Sequence, residues 1–195
     1  DYGPCAFMDQ FDPQKVYSYI DYAGRYSYVN QGKIILWNLS KFAECIIPLL
    51  GEKFEVSRIK AVDCLKEFPK YFEENWLNEM RKKFGLKKKI KKDSELINDF
   101  FKIMKNENLD FTLSFRNLSK VVQKEKNNFF QKNVKNVNEI NNWVARWDRR
   151  LQQESDEKIN ISKKMMEINP IYIPRNHIIE STIKSALNGD FSKMR

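Results

Sequence analysis

Beyond residue 12 almost the whole chain carries apolar side chains at helical spacing, in segments divided by helix start and stop signals. That pattern constrains the fold to a mainly α architecture. Asp12-Pro13 reads as a helix start, with Val16, Tyr17 and Ile20 as its apolar side. Residues 24–32 read as a non-helical, aromatic stretch packed against a neighbour. Residues 34–50 form the most apolar segment, with Ile35, Leu36, Leu39, Phe42, Ala43, Ile46 and Ile47 in helical register. They predict a core helix ending near Gly51, with Trp37 and Phe42 as packing residues. A long charged helix is predicted over 55–84, broken or kinked at Pro69. Asp93-Ser94 caps a helix through Met104, and Asp110 opens one carrying Phe111, Phe115, Leu118 and Val122. Residues 138–153 place Trp143, Val144, Trp147 and Leu151 on one side. Asn169-Pro170 is a stop signal. A last helix over 175–188 ends at Gly189, placed as a C′ glycine. No repeat and no Gly/Ser/Pro linker divides the chain, so residues 1–195 read as one unit without an internal boundary.

The 195 residues are 42% hydrophobic, enough for a core, yet no run is long enough to cross a membrane. Cys5, Cys45 and Cys64 are odd in number and lack C-x-x-C spacing, which argues against a disulfide framework or thiolate zinc site and fits a reducing compartment. A net charge of +9 raises a nucleic-acid role. Its densest cluster, Lys87-Lys88-Lys89-Ile90-Lys91-Lys92, follows Gly85 between two helical patterns, where lysines favour a helix C-terminus and keep a loop solvated. On that reading the charge argues against nucleic acid as a partner.

The chain holds few groups able to do chemistry. Asp1-Tyr2-Gly3-Pro4 has the order of the protein-kinase Asp-Phe-Gly turn, with Tyr for Phe. A carboxylate is the hard oxygen ligand that magnesium prefers, beside nucleotide phosphates and water. The same residues also make an ordinary surface turn. His177, the one histidine, sits in a helix and reads as a hydrogen-bonded structural residue. Glu73-Glu74 and Asp156-Glu157 adjoin lysines or polar runs and read as solvated. No phosphate-cradling glycine loop and no nucleophile–base pair is present in the sequence.

Several ordered motifs together resemble the selenoprotein O (SelO, YdiU) family. They are Asp1-Tyr2-Gly3-Pro4-Cys5-Ala6-Phe7-Met8-Asp9, Gly24-Arg25-Tyr26-Ser27-Tyr28 with Asn30-Gln31, and Leu36-Trp37-Asn38-Leu39 with Phe42-Ala43-Glu44. Further on come Asp110-Phe111-Thr112 with Phe115-Arg116, then Trp143, Arg146, Trp147 and Arg149 in outline. Asn169-Pro170 with Ile173-Pro174-Arg175-Asn176, and Gly189-Asp190-Phe191-Ser192, close the series.

The resemblance implies the mostly helical C-terminal lobe of a protein-kinase-like (pseudokinase) fold, truncated on its N-terminal side. The implied activity is protein adenylylation, the transfer of AMP from ATP to Ser, Thr or Tyr hydroxyls of protein substrates with Mg2+ or Mn2+. By the family motif Asp1 is the metal ligand and contacts the ATP phosphates, while the base, the metal-binding Asn and the glycine-rich loop would precede residue 1. The fragment alone is accordingly expected to be inactive. Implied locations are the cytoplasm in bacteria and the mitochondrion in eukaryotic members. Arg25, Asn30, Arg116, Arg175 and Asn176 are expected to fix loops and helix junctions. Gly32-Lys33 departs from the family pattern and is expected to loosen a turn. An inactive kinase-like scaffold and a basic helical nucleic-acid-binding module are the alternative readings.

Overall fold

The computed structural model describes residues 7–51, 53–123 and 129–194. Among them the chain is helical: α1 (Gln31–Ile46), α2 (Phe54–Lys83), α3 (Asp93–Asn106), α4 (Phe111–Val122), α5 (Phe129–Asn133), α6 (Val137–Leu151), α7 (Lys158–Ile168) and α8 (Asn176–Leu187). The described residues contain no strand, only an isolated antiparallel bridge between Gln10 and Asp110. The mainly α expectation holds.

One aromatic core lies between α3, α4, α6 and the C-terminal end of α2. Phe84, Phe100, Phe115, Trp143 and Trp147 are all but fully buried there, with ring centroids 4.5 Å apart for Phe100 and Trp143 and 5.3 Å for Phe84 and Phe115. A buried indole N–H needs an acceptor, and each has one. Trp143 Nε1 donates to the Leu96 carbonyl at 2.8 Å, and Trp147 Nε1 to that of Phe84 at 3.0 Å. Several boundaries follow the sequence signals. Asp110 caps α4, accepting from the Leu113 amide at 2.7 Å. Asn169 ends α7, and Gly189 follows α8 with φ +83°.

Four expectations fail. Asp12-Pro13 opens a turn, not a helix: Asp12 Oδ1 accepts from the Gln14 amide at 2.9 Å, while the Pro13 and Lys15 carbonyls accept from Val29 and Tyr28. Those carbonyls are taken by a distant segment, so no helical ladder forms. Residues 34–50 do not make a core helix, because α1 packs on α2 and buries no residue fully, leaving Phe42 62% exposed. Its periodicity marks a face without saying what covers it. Pro69 does not break α2, which runs unbroken for 30 residues. Pro69 is exposed, so the carbonyl left without a helical donor can be satisfied by solvent. Gly32 lies inside α1, not in a loosened turn, where an added Cβ would sit 2.7 Å from the Phe72 ring.

Candidate functional site

Asp1, the residue to which the family resemblance assigns nucleotide and metal binding, lies outside the described residues, as does the rest of its turn. The described chain begins just after it, and three distant segments converge at that end. Residues 9–11 run beside the start of α4: the Phe111 amide donates to the Asp9 carbonyl at 2.7 Å, and the Phe11 amide to that of Leu109 at 2.9 Å. Arg175, the N-cap residue of α8, closes the junction. Its Nη1 pairs with Asp9 and reaches Asp110 Oδ2 at 2.7 Å. The hydrogen bond that Arg175 donates to Asp110 leads the interactions that hold the guanidinium more firmly charged than usual. One side chain thus ties the segment following Asp-Tyr-Gly to the N-termini of α4 and α8. No local spacing marks residues 9, 110 and 175 as partners, although each stands in one of the motifs that carry the family resemblance.

Beside this clamp lies an open polar recess of about 550 Å³, lined by Asp9, Gln10, Asp12, Lys15, Tyr17 and Asn176 among others. Burial pushes the Tyr17 hydroxyl upward, with a smaller contribution from Asp12. Burial likewise pushes Tyr28 up to about 12, so both phenols stay neutral near pH 7. Tyr28 packs edge-on against Phe11 and Phe111, holding the recess's backbone on the core.

The recess does not supply a metal-ligand set. Asp9 is taken by Arg175 and one Asp12 oxygen by its own turn. Among the described residues no three His, Cys, Asp or Glu converge as a cation would require. The described donors therefore do not fit a magnesium site by themselves. A metal held by Asp1 would need its other ligands from outside this set.

The other motif residues do structural work. Arg25 lies over the Trp37 ring at 4.2 Å, and Asn30 Nδ2 donates to the Gly24 carbonyl at 2.9 Å. Arg116 Nη1 donates to the carbonyls of Met166 and Asn169 at 2.8 and 3.1 Å, joining α4 to the end of α7. Asn176 lines the recess. His177 is exposed on α8, and its side chain has no hydrogen-bond partner among the described residues, so it is not the bonded structural residue its surroundings predict.

A second polar centre escapes sequence reading. Asp93, fully buried, accepts from Arg81 Nε and Arg150 Nε, each at 2.7 Å, and Arg150 Nη1 reaches Glu154 at 2.7 Å. Burial pushes the Asp93 carboxyl up, but the Arg150, Ile90 and Arg81 hydrogen bonds outweigh it and hold the group below the ordinary carboxylate range. Asp93 is thus more than a helix start. Lys83 is the opposite case: burial alone lowers its ammonium to about 8, and it lies 4.5 Å from the Phe115 ring centroid.

Comparison with known proteins places the sequence in a family. The model of the family described as protein adenylyltransferase SelO matches residues 1–195. A protein nucleotidyltransferase YdiU of Clostridium perfringens (strain SM101 / Type A) is 41% identical over 194 residues, covering 100% of this chain and 38% of that protein. Its namesake in Brevibacillus brevis is 41% identical over 196 residues, with the same coverage. That of Bradyrhizobium diazoefficiens is 40% identical over 190 residues, covering 97% of this chain and 39% of its own. The chain spans about 38% of the length of these curated relatives.

Proposed function

The chain belongs to the SelO family of protein adenylyltransferases, and from that premise we propose that it forms the helical part of an enzyme that moves AMP from ATP to protein hydroxyls. The observation that carries the reading is the match along the whole chain, and the resemblance of Asp1-Tyr2-Gly3 to a metal-binding turn supports the role given to Asp1. In this proposal the complete protein has a protein-kinase-like arrangement, and Asp1 contacts the ATP phosphates and binds Mg2+, or Mn2+ in its place. The metal would supply neutralisation of phosphate charge. The base, the metal-binding Asn and the glycine-rich loop belong to the remainder of the protein.

The described residues contribute positioning. Arg175 holds Asp9 and Asp110 in one place, which limits the freedom of the chain leaving Asp1. Phosphoryl and nucleotidyl transfers depend chiefly on positioning and electrostatics, so a fixed exit from the ligand turn is worth having. Residues 1–195 alone, lacking most of the positioning groups, should transfer nothing.

Full-length protein incubated with a protein substrate and ATP labelled on either the α- or the γ-phosphate tests the reading. Retention of the α label with no γ label is the expected result. Retention of γ label would make the protein a kinase, and no transfer of either label would favour a non-catalytic scaffold.

A further inference from the structure

The lysine cluster at residues 87–92 is solvated, as its composition predicts, but its backbone is held in place. Five lysines in six residues repel one another, and such blocks are ordinarily disordered. Here the backbone is pinned at two positions by the buried ionic centre. At Lys88, the amide donates to both Glu154 oxygens at 3.1 and 3.2 Å, and the carbonyl accepts from Arg150 Nη2 at 2.7 Å. At Ile90, the amide donates to Asp93 Oδ2 at 3.0 Å, and the carbonyl accepts from Arg81 Nη2 at 3.4 Å. Lys88 Nζ is itself used, donating to the Gln153 carbonyl at 2.6 Å.

The pinning leaves Lys87, Lys89, Lys91 and Lys92 exposed. Among the described residues no carboxylate lies within ion-pair distance of Lys89, Lys91, Lys92 or Arg149. Lys92 and Arg149 line a cleft of about 350 Å³ together with Arg146, Arg150, Glu95 and an apolar floor of Ile90 and Leu96. Arg150 is spent on Asp93 and Glu154, and Arg146 on Asp99 at 2.9 Å. What remains is a cationic rim on a held backbone, with Lys92 and Arg149 at the edge of a small apolar floor and Lys89 and Lys91 exposed beside it in the chain.

We propose that this rim and cleft form a docking surface for an acidic segment of a protein substrate. The proposal rests on the adenylyltransferase reading for the word substrate; the surface itself does not. Three observations favour a carboxylate-rich peptide over a nucleic acid or a membrane. Glu95 interrupts the cations, which suits paired contacts and opposes a continuous phosphate track. No aromatic side chain lines the cleft, so bases have nothing to stack on. The floor of Ile90 and Leu96 accepts a peptide side chain but offers no exposed anchor for a bilayer. A pre-shaped loop also loses less freedom on binding than a free one.

The test is fluorescence anisotropy with full-length protein and no nucleotide, so its outcome does not depend on AMP transfer. A labelled oligoglutamate peptide is the probe, with oligouridylate of equal charge and phosphatidylserine vesicles as comparisons. Oligoglutamate should bind, weaken as salt rises, and lose about tenfold or more in affinity in the Lys89→Glu/Lys91→Glu/Lys92→Glu protein. These side chains are exposed, and an unchanged melting temperature verifies that the variant folds. An Arg149→Glu protein should show a loss in the same direction. Equal binding by wild type and triple variant, or tighter wild-type binding of oligouridylate or vesicles than of oligoglutamate, would overturn the proposal.

Discussion

Helix α2 joins two unlike regions of the molecule. Its C-terminal end enters the aromatic core, where Trp76, Leu77 and Met80 pack, Arg81 is buried, and rings and buried charges find partners. Its N-terminal half lies with α1, and neither α1 nor α8 buries a single residue fully. Both outer helices are nonetheless apolar along one side: Phe42 and Ile183 are more than half exposed, and Leu187 is 81% exposed. Similar sequence patterns therefore lead to opposite environments. Amphipathicity specifies that a helix has a face to cover, while the partner determines whether that face is covered.

Substitutions in the two regions should differ most where side chains are large. Phe100→Ala removes a fully buried ring and should cost about 3–5 kcal/mol in urea unfolding. Phe42→Ala should stay within about 0.5 kcal/mol. Comparable losses for both would end the distinction. Asp93→Ala, which strands Arg81 and Arg150, should cost about 3–5 kcal/mol. The folded Asp93 carboxyl titrates below its unfolded value. Its contribution is therefore complete above an unfolded pKa of about 4 and is lost as pH falls through the lower folded value. Unfolding followed from pH 6 downward, with and without Asp93→Asn, should show a steeper acid loss in the wild type, an expectation that follows from the same linkage.

Two glycines sharpen the contrast. Both have positive φ, but a Cβ at Gly85 would meet Ile161 at 2.6 Å and Met165 at 2.8 Å, whereas Gly189 faces open space. Gly85→Ala should cost about 2–4 kcal/mol and Gly189→Ala about 1 kcal/mol by thermal unfolding. Lys83 supplies a change of the opposite sign. Its folded pKa is lowered to about 8, so the folded state sheds its proton before the unfolded state does. Stability should rise with pH between about 8 and 10.4, the span from the folded to the unfolded value. Lys83→Met should remove that rise and add up to about 2 kcal/mol at neutral pH, less whatever the Phe115 cation–π contact contributes. The smallest effect belongs to the exposed Lys41–Glu44 pair, where Lys41→Ala should change stability by less than about 0.5 kcal/mol.

What the sequence discloses follows the range of the interaction. Asp110 as a cap, Asn169-Pro170 as a stop and the Trp143/Trp147 face depend on residues a turn or so away, and all are legible. The ionic centre is not, because the partners of Asp93 stand 12 and 57 residues off at Arg81 and Arg150. Asp12-Pro13 misleads because the carbonyls that would start a helix are taken from residues 28 and 29. The pinning of the lysine run is hidden for the same reason: Arg81, Arg150 and Glu154, which help to hold it, lie outside its own segment. The role of Asp1 rests on family resemblance, since a four-residue turn carries little physics alone.

We propose that Asp1 is the nucleotide-binding carboxylate of the complete protein. Titration of full-length wild type and Asp1→Ala with a fluorescent ATP analogue, in magnesium and in chelator, tests it without requiring turnover. Magnesium-dependent binding should be lost in Asp1→Ala, while its melting temperature without nucleotide stays that of the wild type. Equal magnesium-dependent affinity in the two proteins would contradict it.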